Sequence, residues 1–340
     1  MTSSPIFIGG PDRSGTTLLY ALLASHPNIS MARRSNMWRF FYDRYGDLGA
    51  PENFERCLHD MTHYHKMRYL GADPERIRRE FRQGEPSYGR LFALLHEHNA
   101  ERAGKPRWGD KSLHIEHYAR GIFTEFPDAR VIQMVRDPRD RYASVRKRFG
   151  KDTPRLGAAT ARWLRAIRQG QNNARRYPDR YRIVRYESLA SSPEATLRSI
   201  CGFIREEYSP VMLSMRGASE YRESGGNSSF DKIEPGVIST KSIGRFQNVL
   251  SASEIAFIQM ICGPEMAGLS YEKVPVSFAA GERASYWAGT LPLQLARLAG
   301  WWTLAAVGTM RGEQPPPPRH HSPPSIADGE QHEPATPFQK

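Results

Sequence analysis

The chain has 340 residues, of which 39% are hydrophobic and 25% charged, enough to bury the core of one large α/β domain or of two small ones. An excess of 48 Lys and Arg over 36 Asp and Glu gives a net charge of +12, which indicates an anionic partner or simply a basic, soluble surface. The 3 cysteines are widely spaced, which argues against a disulfide framework or a cysteine zinc site and favours a reducing compartment.

Residues 6–27, IFIGGPDRSGTTLLYALLASHP, predict a strand, a glycine-bounded turn and a helix. The order is that of a P-loop, but Thr16 stands where that motif requires a lysine. Backbone N–H groups of residues 13–17, the Arg13 guanidinium and the hydroxyls of Thr16 and Thr17 would together hold a phosphate. Because the cation lies in the turn itself, the loop is better suited to an anion bound without a metal than to ATP. The alternative is an ordinary glycine turn that binds no ligand.

Residues 36–103 are largely helical in pattern. Asp73-Pro74-Glu75 predicts one helix start, and LFALLHEHNAERAG at 91–104 predicts an amphipathic helix closed by a glycine. His59 and His63 have the i, i+4 spacing of zinc ligands, but no further ligand is spaced to complete a site. We therefore interpret them as part of a solvated helix face.

Residues 107–118, RWGDKSLHIEHY, concentrate polar side chains. Asp110, Lys111 and His114 are predicted to lie together on one turn, because His114 follows Lys111 by three residues. For His114 the alternative of a solvated polar helix start stays open.

Residues 129–135, ARVIQMV, form a continuous apolar run typical of a buried parallel strand. Arg136 ends that strand, Asp137-Pro138 begins a helix, and Ser144 lies on it. Arg136 and Ser144 would meet at the carboxyl edge of the sheet and form a second phosphate site. The alternative is a basic helix face, because five further cations follow nearby: Arg139, Arg141, Arg146, Lys147 and Arg148.

Later elements continue the alternation of helix and strand. A basic helix is predicted at 155–176, a strand at 181–186 and a helix after Ser192-Pro193. The alternation predicts an α/β fold with a mostly parallel sheet covered on both faces. Residues 225–244 read as a long loop, and Ser251-x-x-Glu254 is a capping box for the last helix of the domain.

The two ends of the chain differ from its middle. Residues 1–5 lack the basic and apolar regions of a signal peptide, so we expect a cytoplasmic protein. Residues 286–310 are apolar but interrupted by Pro292 and Arg297, which predicts a helix packed on the domain or lying on a membrane face. We divide the chain into a domain at 1–285, an apolar helix at 286–312 and a disordered Pro-rich tail at 313–340.

Two of these stretches together resemble a known family. GGPDRSGTTLLYALLASHP is similar to the 5′-phosphosulfate loop of sulfotransferases that use 3′-phosphoadenylyl sulfate (PAPS), and VRDPRDRYAS is similar to their 3′-phosphate motif. RWGDKSLHIEHY resembles a segment of the carbohydrate and tyrosyl-protein types. With RYESLASSPEATLRSICGFI and TKSIGRFQNVLSASE the resemblance extends over about residues 5–272. It implies the sulfotransferase fold, a P-loop-like central parallel β-sheet flanked by helices.

The resemblance also implies a set of contacts to PAPS, without a metal. The 5′-phosphosulfate would be held by Arg13, Ser14, Gly15, Thr16 and Thr17. The 3′-phosphate would be held by Arg136, Ser144, Lys241 and Ser242, with Tyr186 near the adenine. Arg13 and Lys111 would stabilise charge on the leaving phosphate.

The base that takes the acceptor's proton is where the sequence departs from the family. Many relatives carry a glutamate after the first helix, but Arg33 and Arg34 stand in that region here. His114, Asp110 or Glu85 would have to replace it, or turnover would be weak.

The sequence predicts only the chemical class of the acceptor, not its identity. We expect a hydroxyl or amine of a carbohydrate, a lipid or another small molecule, entering over residues 30–110 and the loop 225–245. Eight aromatic side chains there could stack on it or belong to the core: Trp38, Phe40, Phe41, Tyr42, Tyr64, Tyr69, Tyr88 and Trp108. No nucleic-acid motif is present, and residues 286–310 offer a peripheral membrane contact. The alternatives are a P-loop-type kinase of small molecules or nucleotides, and a membrane-peripheral protein that binds 3′,5′-ADP with weak catalysis.

Overall fold

A computed structural model describes residues 4–224, 226–228, 230–279 and 281–310. The five strands are β1 (Ile6–Gly9), β2 (Ile29–Arg33), β3 (Arg107–Lys111), β4 (Arg130–Val135) and β5 (Tyr181–Arg185). The helices of the first half are α1 (Thr16–Ala24), α2 (Met37–Phe40), α3 (Pro51–His63), α4 (Pro74–Phe81), α5 (Tyr88–Arg102), α6 (Ala119–Glu125) and α7 (Pro138–Phe149). Those of the second half are α8 (Leu156–Arg176), α9 (Tyr186–Ser191), α10 (Pro193–Ile204), α11 (Ser219–Glu223), α12 (Ala252–Gly268), α13 (Glu282–Ser285) and α14 (Leu291–Met310). The tail expected at 313–340 lies outside the described residues.

The strands form one parallel sheet in the order β2-β3-β1-β4-β5. This confirms the central parallel sheet expected from the sequence. Because β1 has β3 on one side and β4 on the other, the strand order reverses at β1. The carboxyl end of β1 is therefore the switch point at which α/β folds bind ligands, and the glycine-bounded loop begins there.

Both faces of β1 are buried, which explains its unbroken apolar sequence. Ile6 and Ile8 share one face with the buried side chains of α1 and α10. Phe7 points to the other face, where its ring lies 5.6 Å from those of both Trp38 and Trp108, centroid to centroid. The strand is thus fixed from two sides, and the loop that follows it starts from a rigid position.

Local capping signals gave correct helix starts. The side chain of Asp73 accepts from the backbone N–H of Glu75 and Arg76 at the start of α4. Asp137 does the same for Arg139 at α7, and Ser251 forms a complete capping box at α12. These predictions were right because each cap depends only on residues within one turn.

The sequence prediction missed β2 and β3. Residues 107–111 were expected to form a polar turn, but they form a strand whose five residues are all buried. Arg107 is accommodated because it donates to the carbonyl of Ile204 (2.6 Å) and to the carboxylate of Glu206 (3.0 Å). The charged residues of β3 made this segment look like a polar turn in the sequence, because the partners that allow them to be buried lie far along the chain.

The apolar C-terminal segment packs on the domain. α14 lies along α8, where Trp301 and Ala305 contact Ala158 and Ala161. The amide oxygen of Gln294 accepts from the backbone N–H of Gly157 at 3.0 Å, so this polar residue faces inward. Among the residues described, no helix is long and apolar enough to cross a membrane.

Candidate active site

The loop between β1 and α1 has a backbone that few residues adopt. Arg13 has φ 63° and Gly15 has φ 85°, both in the left-handed region. A Cβ on Gly15 would also lie 2.4 Å from Cδ2 of Tyr186, so both the positive φ and the lack of space require glycine here. The loop is therefore held in a tight turn that leads into the start of α1 at Gly15.

Two distant segments meet beside this loop. Nε of Arg13 donates to Oγ of Ser144 at 3.1 Å, joining residues 131 positions apart. Arg136 donates to the carbonyl of Arg13 at 3.3 Å and to that of Ser242 at 2.7 Å. Its guanidinium lies 4.5 Å from the centre of the Tyr186 ring. The segments predicted to hold the 5′ and 3′ phosphates are thus in direct contact with each other.

A cleft of about 430 Å³ opens at this junction. Its wall includes many of the predicted nucleotide-binding residues: Arg13, Gly15, Thr16, Thr17, Arg136 and Tyr186. It also includes residues that the sequence analysis did not select: Leu18, Lys147, Arg148, Tyr221 and Ser224. A signal for two of these was present, because Lys147 and Arg148 follow Ser144 by three and four residues and so share its side of α7. Three more wall residues come from the loop 225–245 that was expected to admit the acceptor: Gly226, Asn227 and Ser228.

The donor set of the loop fits an anion. Ser14 is fully buried, and its Oγ has no hydrogen-bond partner among the described residues. Such a buried hydroxyl is costly unless it is satisfied, and a bound anion would satisfy it. Together with Arg13 and Arg136 it gives the loop a donor-rich, cationic character that suits a phosphate or phosphosulfate.

Asp140 ties the wall of the cleft together and was not selected from the sequence. Its carboxylate accepts from the backbone N–H of Gly244 (2.7 Å) and of Phe246 (2.8 Å). Burial raises its pKa to about 6, although Arg136 and these two N–H groups act in the opposite direction. The side chain thereby holds residues 241–246 against α7.

The arginines of VRDPRDR have different structural roles. Arg139 is buried, pairs with Asp137 at 2.6 Å and lies 4.2 Å from the centre of the Phe246 ring. Arg141 donates to the carbonyl of Asp12 at 2.9 Å and supports the loop from behind. Only Arg136 combines contacts to both phosphate segments, so the motif is not a uniformly basic helix face.

Lys111 and Asp110 end β3 next to the loop but face different surroundings. Nζ of Lys111 donates to Oγ1 of Thr17 at 3.3 Å, which places the amine at the start of α1. Asp110 is fully buried, its Oδ2 accepts from Ser112 at 2.6 Å, and its Oδ1 lies 3.9 Å from Nε2 of His96. Burial raises the pKa of Asp110 to about 6. A carboxylate so enclosed is poorly placed to accept a proton from an acceptor.

His114 lies three residues beyond β3 and contacts the loop. Its backbone N–H donates to the carbonyl of Gly10 at 3.2 Å, and its φ is 58°. Nε2 lies 3.8 Å from Oδ2 of Asp12, and Nδ1 lies 3.5 Å from Oε1 of Glu116. The imidazole is partly exposed and lies between a loop carboxylate and a buried one.

The remaining candidates occupy less direct positions. Arg34 follows β2 in a left-handed conformation, and its backbone N–H donates to the carbonyl of Lys111 at 3.1 Å. The region where relatives carry a glutamate is thus adjacent to Lys111. Glu85 is exposed between α4 and α5. Lys241 is exposed, whereas Ser242 is buried and offers its carbonyl to Arg136.

The structure also shows one group of possible metal ligands in its described part. Ligand atoms of His114, Glu116 and His117 lie within 4.8 Å of one another. Two arginines act electrostatically on this group, Arg141 on Glu116 and Arg165 on His117, and a bound divalent cation would have to overcome their charge. We continue to expect no metal in this site.

Most aromatics proposed as an acceptor surface belong to the core. Trp38, Phe41, Tyr64 and Trp108 are buried in one cluster with the helices of residues 37–102. Tyr69 is 50% exposed, and its hydroxyl contacts the backbone of Arg33. Of the eight aromatics, Tyr42 and Tyr69 are the two that are not buried.

The chain resembles characterised proteins in sequence. The family model described as Sulfotransferase family matches residues 5–210, more than half of the chain. A protein-tyrosine sulfotransferase of Drosophila melanogaster is 26% identical over 218 residues, which are 61% of this chain and 39% of that protein. The matched region therefore spans well under half the length of this relative.

Solved structures resemble it in fold. The sulfotransferase domain of the Synechococcus PCC 7002 olefin synthase is 23% identical, with a TM-score of 0.51 and coverage of 80% of this chain and 97% of that domain. The sulfotransferase domain from the curacin biosynthetic pathway is 20% identical, with a TM-score of 0.50 and coverage of 80% and 99%. Together with the family model across β1 to α10, these comparisons lead to one conclusion. The chain belongs to the sulfotransferase family.

Proposed function

We propose that this protein transfers the sulfuryl group of PAPS to a hydroxyl or amine of a carbohydrate, lipid or other small-molecule acceptor. The observation that carries the proposal is the junction of Arg13, Ser144 and Arg136 beside one cleft. A nucleotide phosphorylated at both the 5′ and 3′ positions requires two anion sites that meet across its ribose. The hydrogen bonds between the two segments support that arrangement.

Some residues of the site bind PAPS, and others act in the chemical step. PAPS, when bound, supplies a sulfuryl group with 3′,5′-ADP as its leaving group. Ser14, Gly15, Thr16 and Thr17 offer donors to the 5′ end, and Arg136 with Ser144 and residues 241–242 offers them to the 3′ end. Arg13 and Lys111 stabilise charge that develops on the leaving phosphate. None of these roles requires a metal.

The acceptor's proton needs a base near Lys111. Of the three candidates, His114 is the one that is both partly exposed and in contact with the loop. Asp110 is enclosed, and Glu85 is exposed between α4 and α5. We therefore assign the proton to His114, whose imidazole is suited to this exchange near neutral pH.

We also propose a cytoplasmic location, with peripheral contact to a membrane through residues 286–310. Four large apolar side chains support the contact because they are exposed on or beside α14: Trp287, Leu293, Leu295 and Leu304. Sedimentation with anionic vesicles tests this point, since replacing Trp287 and Leu304 by serine should abolish binding. Unchanged sedimentation of that variant would remove the proposal.

The activity is tested by product formation. Purified protein is incubated with PAPS or with ATP and Mg²⁺, in each case with a panel of sugars, lipids and phenols, and products are identified by mass spectrometry. We expect sulfated product and 3′,5′-ADP from PAPS in the presence of EDTA. Phosphorylated product from ATP and Mg²⁺, with none from PAPS, would instead establish a kinase.

A further inference from the structure

The structure contains a buried carboxylate that the proposed reaction has not yet used. We propose that Glu116 is a positioning residue that holds the proton on Nδ1 of His114, so that Nε2 is free to accept a proton from the acceptor. This inference rests on the proposed function, in which His114 acts as the base. It adds a second residue of the stretch RWGDKSLHIEHY, one that was not among the predicted site residues.

Burial is the first part of the argument. Glu116 is fully buried, and neither of its carboxylate oxygens has a hydrogen-bond partner among the described residues. Its main chain is anchored, because its carbonyl accepts from the amide of Asn173 on α8 at 2.7 Å. A carboxylate held in such a place destabilises the fold unless it has a charged or polar neighbour to act on.

Two imidazoles supply that neighbour. Oε1 of Glu116 lies 3.5 Å from Nδ1 of His114 and 3.9 Å from Nε2 of His117. Burial alone would raise the pKa of Glu116, but these two histidines lower it. The carboxylate is therefore ionised when the site works, and an ionised oxygen facing Nδ1 selects the tautomer that carries its proton there.

The other side of His114 faces the loop that follows β1. Nε2 lies 3.8 Å from Oδ2 of Asp12, which belongs to the anion-binding loop next to Arg13. The backbone N–H of His114 donates to the carbonyl of Gly10, which fixes the main chain from which the ring projects. Glu116 and Asp12 thus bracket the imidazole, and both stabilise it once it is charged.

The charged and titratable groups around this pair come from several elements. They are Asp12 in the loop, Arg141 on α7, Arg165 on α8, Tyr181 on β5, and His117 and Tyr118 beside Glu116. Glu116 is the member of this set that faces Nδ1 of His114, so removing its charge should change the tautomer of that ring.

The step balances as follows. The acceptor oxygen forms a bond to sulfur while the bond from sulfur to the 5′-phosphate oxygen of PAPS breaks. The electron pair of the broken bond leaves with 3′,5′-ADP. The acceptor's proton passes to Nε2 of His114, and the resulting imidazolium is stabilised by Glu116 at Nδ1 and by Asp12 at Nε2.

The test replaces Glu116→Gln, which keeps the shape but removes the charge. Nitrogen-15 NMR of the histidine rings, recorded with 3′,5′-ADP present, reports the tautomer of His114 without any acceptor. We expect wild-type His114 to carry its proton on Nδ1 when neutral, and Glu116→Gln to increase the share of the tautomer protonated on Nε2. Where an acceptor is available, kcat should fall at least about tenfold in this variant.

The controls separate this inference from the proposed function. His117 contacts the same carboxylate but lies outside the proposed proton path. The His117→Gln variant should therefore retain the His114 tautomer and most of the activity. In both variants the affinity for 3′,5′-ADP should match wild type. Failure of wild type to bind 3′,5′-ADP would overturn the proposed function, whatever the state of His114.

Two results would overturn the role of Glu116. One is a neutral wild-type His114 that carries its proton on Nε2, a measurement that needs no variant and stands even if Glu116→Gln does not fold. The other is stoichiometric binding of Zn²⁺ by the purified protein that is lost in both Glu116→Gln and His117→Gln, because Glu116 would then be a metal ligand.

Discussion

The proposed donor side and the proposed acceptor side of the site are built in different ways. The donor side consists of short segments, residues 10–17, 136–144 and 241–246, that bind one another through backbone and side-chain hydrogen bonds. The acceptor side consists of the end of β3, the residues that follow it and the helices of residues 37–102. The first is fixed by its own sequence motifs, whereas the second depends on packing between elements distant in the chain.

This difference shows what each side is free to change. A nucleotide with two phosphates makes the same demands in every member of a family, so the donor segments need particular residues at particular positions. The acceptor side only has to place Lys111 and a base beside the loop. Arg34 can therefore stand in the region where relatives carry a glutamate, provided that another group takes the proton.

The largest effect is expected where the two sides meet, at Lys111. Lys111→Ala should lower kcat by about 10²- to 10³-fold, because it removes a cation that stabilises the leaving phosphate. Binding of 3′,5′-ADP, measured by calorimetry, should change far less. The exposed Lys273→Ala is the matched control, and an equal loss of activity there would contradict the assignment.

The next largest effect is expected for a substitution that changes only the proposed donor side. Arg136→Ala should weaken 3′,5′-ADP binding roughly 10- to 100-fold, the range expected for hydrogen bonds to a charged group. Equilibrium binding measures this directly. Arg146→Ala provides the control, because Arg146 lies on α7, the helix that follows Arg136, but pairs with Glu254 on the surface. Equal losses in the two variants would mean that the effect is one of overall charge.

The contacts of Asp140 with the backbone of Gly244 and Phe246 should contribute measurably to the free energy of unfolding. Asp140→Asn removes one of two backbone contacts and should lower the free energy of unfolding by about 1–3 kcal/mol in urea denaturation. Its folded pKa of about 6 lies above the ordinary value of 3.8 for an aspartate, so the folded state binds more protons between these values. The Asp140 contribution therefore falls as pH rises through this window, and Asp140→Asn should lack that slope. An unchanged pH dependence would contradict the buried carboxylate.

The smallest effect is expected at the rim of the cleft. Lys147→Ala should weaken 3′,5′-ADP binding only about two- to fivefold, as is usual for an exposed charge. The effect should shrink further in 0.5–1 M salt because of screening. A loss as large as that of Arg136→Ala would show that Lys147, rather than Arg136, carries the 3′ site.

The comparison also explains which features could be predicted from the sequence. The parallel sheet, the loop after β1 and the caps at Asp73, Asp137 and Ser251 depend on neighbouring residues, and all were confirmed. β3 was missed because Arg107 and Asp110 are buried against partners that only the folded chain supplies. The predicted turn carrying Asp110, Lys111 and His114 was wrong for the same reason.

The site was predictable to a similar degree. Arg13, Arg136 and Ser144 carry a recognisable spacing, and the structure brings them together. Asp140 and Glu116 carried no such signal, because an acidic residue in a polar stretch looks like any surface carboxylate. Only burial, which the sequence does not display, distinguishes them.

The central claim is that one cleft binds a nucleotide phosphorylated at both ends of its ribose. Isothermal titration of 3′,5′-ADP and of 5′-AMP, in EDTA, tests it most directly. The account predicts that 3′,5′-ADP binds at least about tenfold more tightly, from the added charge-assisted hydrogen bonds, and that Arg136→Ala removes most of the difference. Equal affinity for the two nucleotides in the wild type would contradict it.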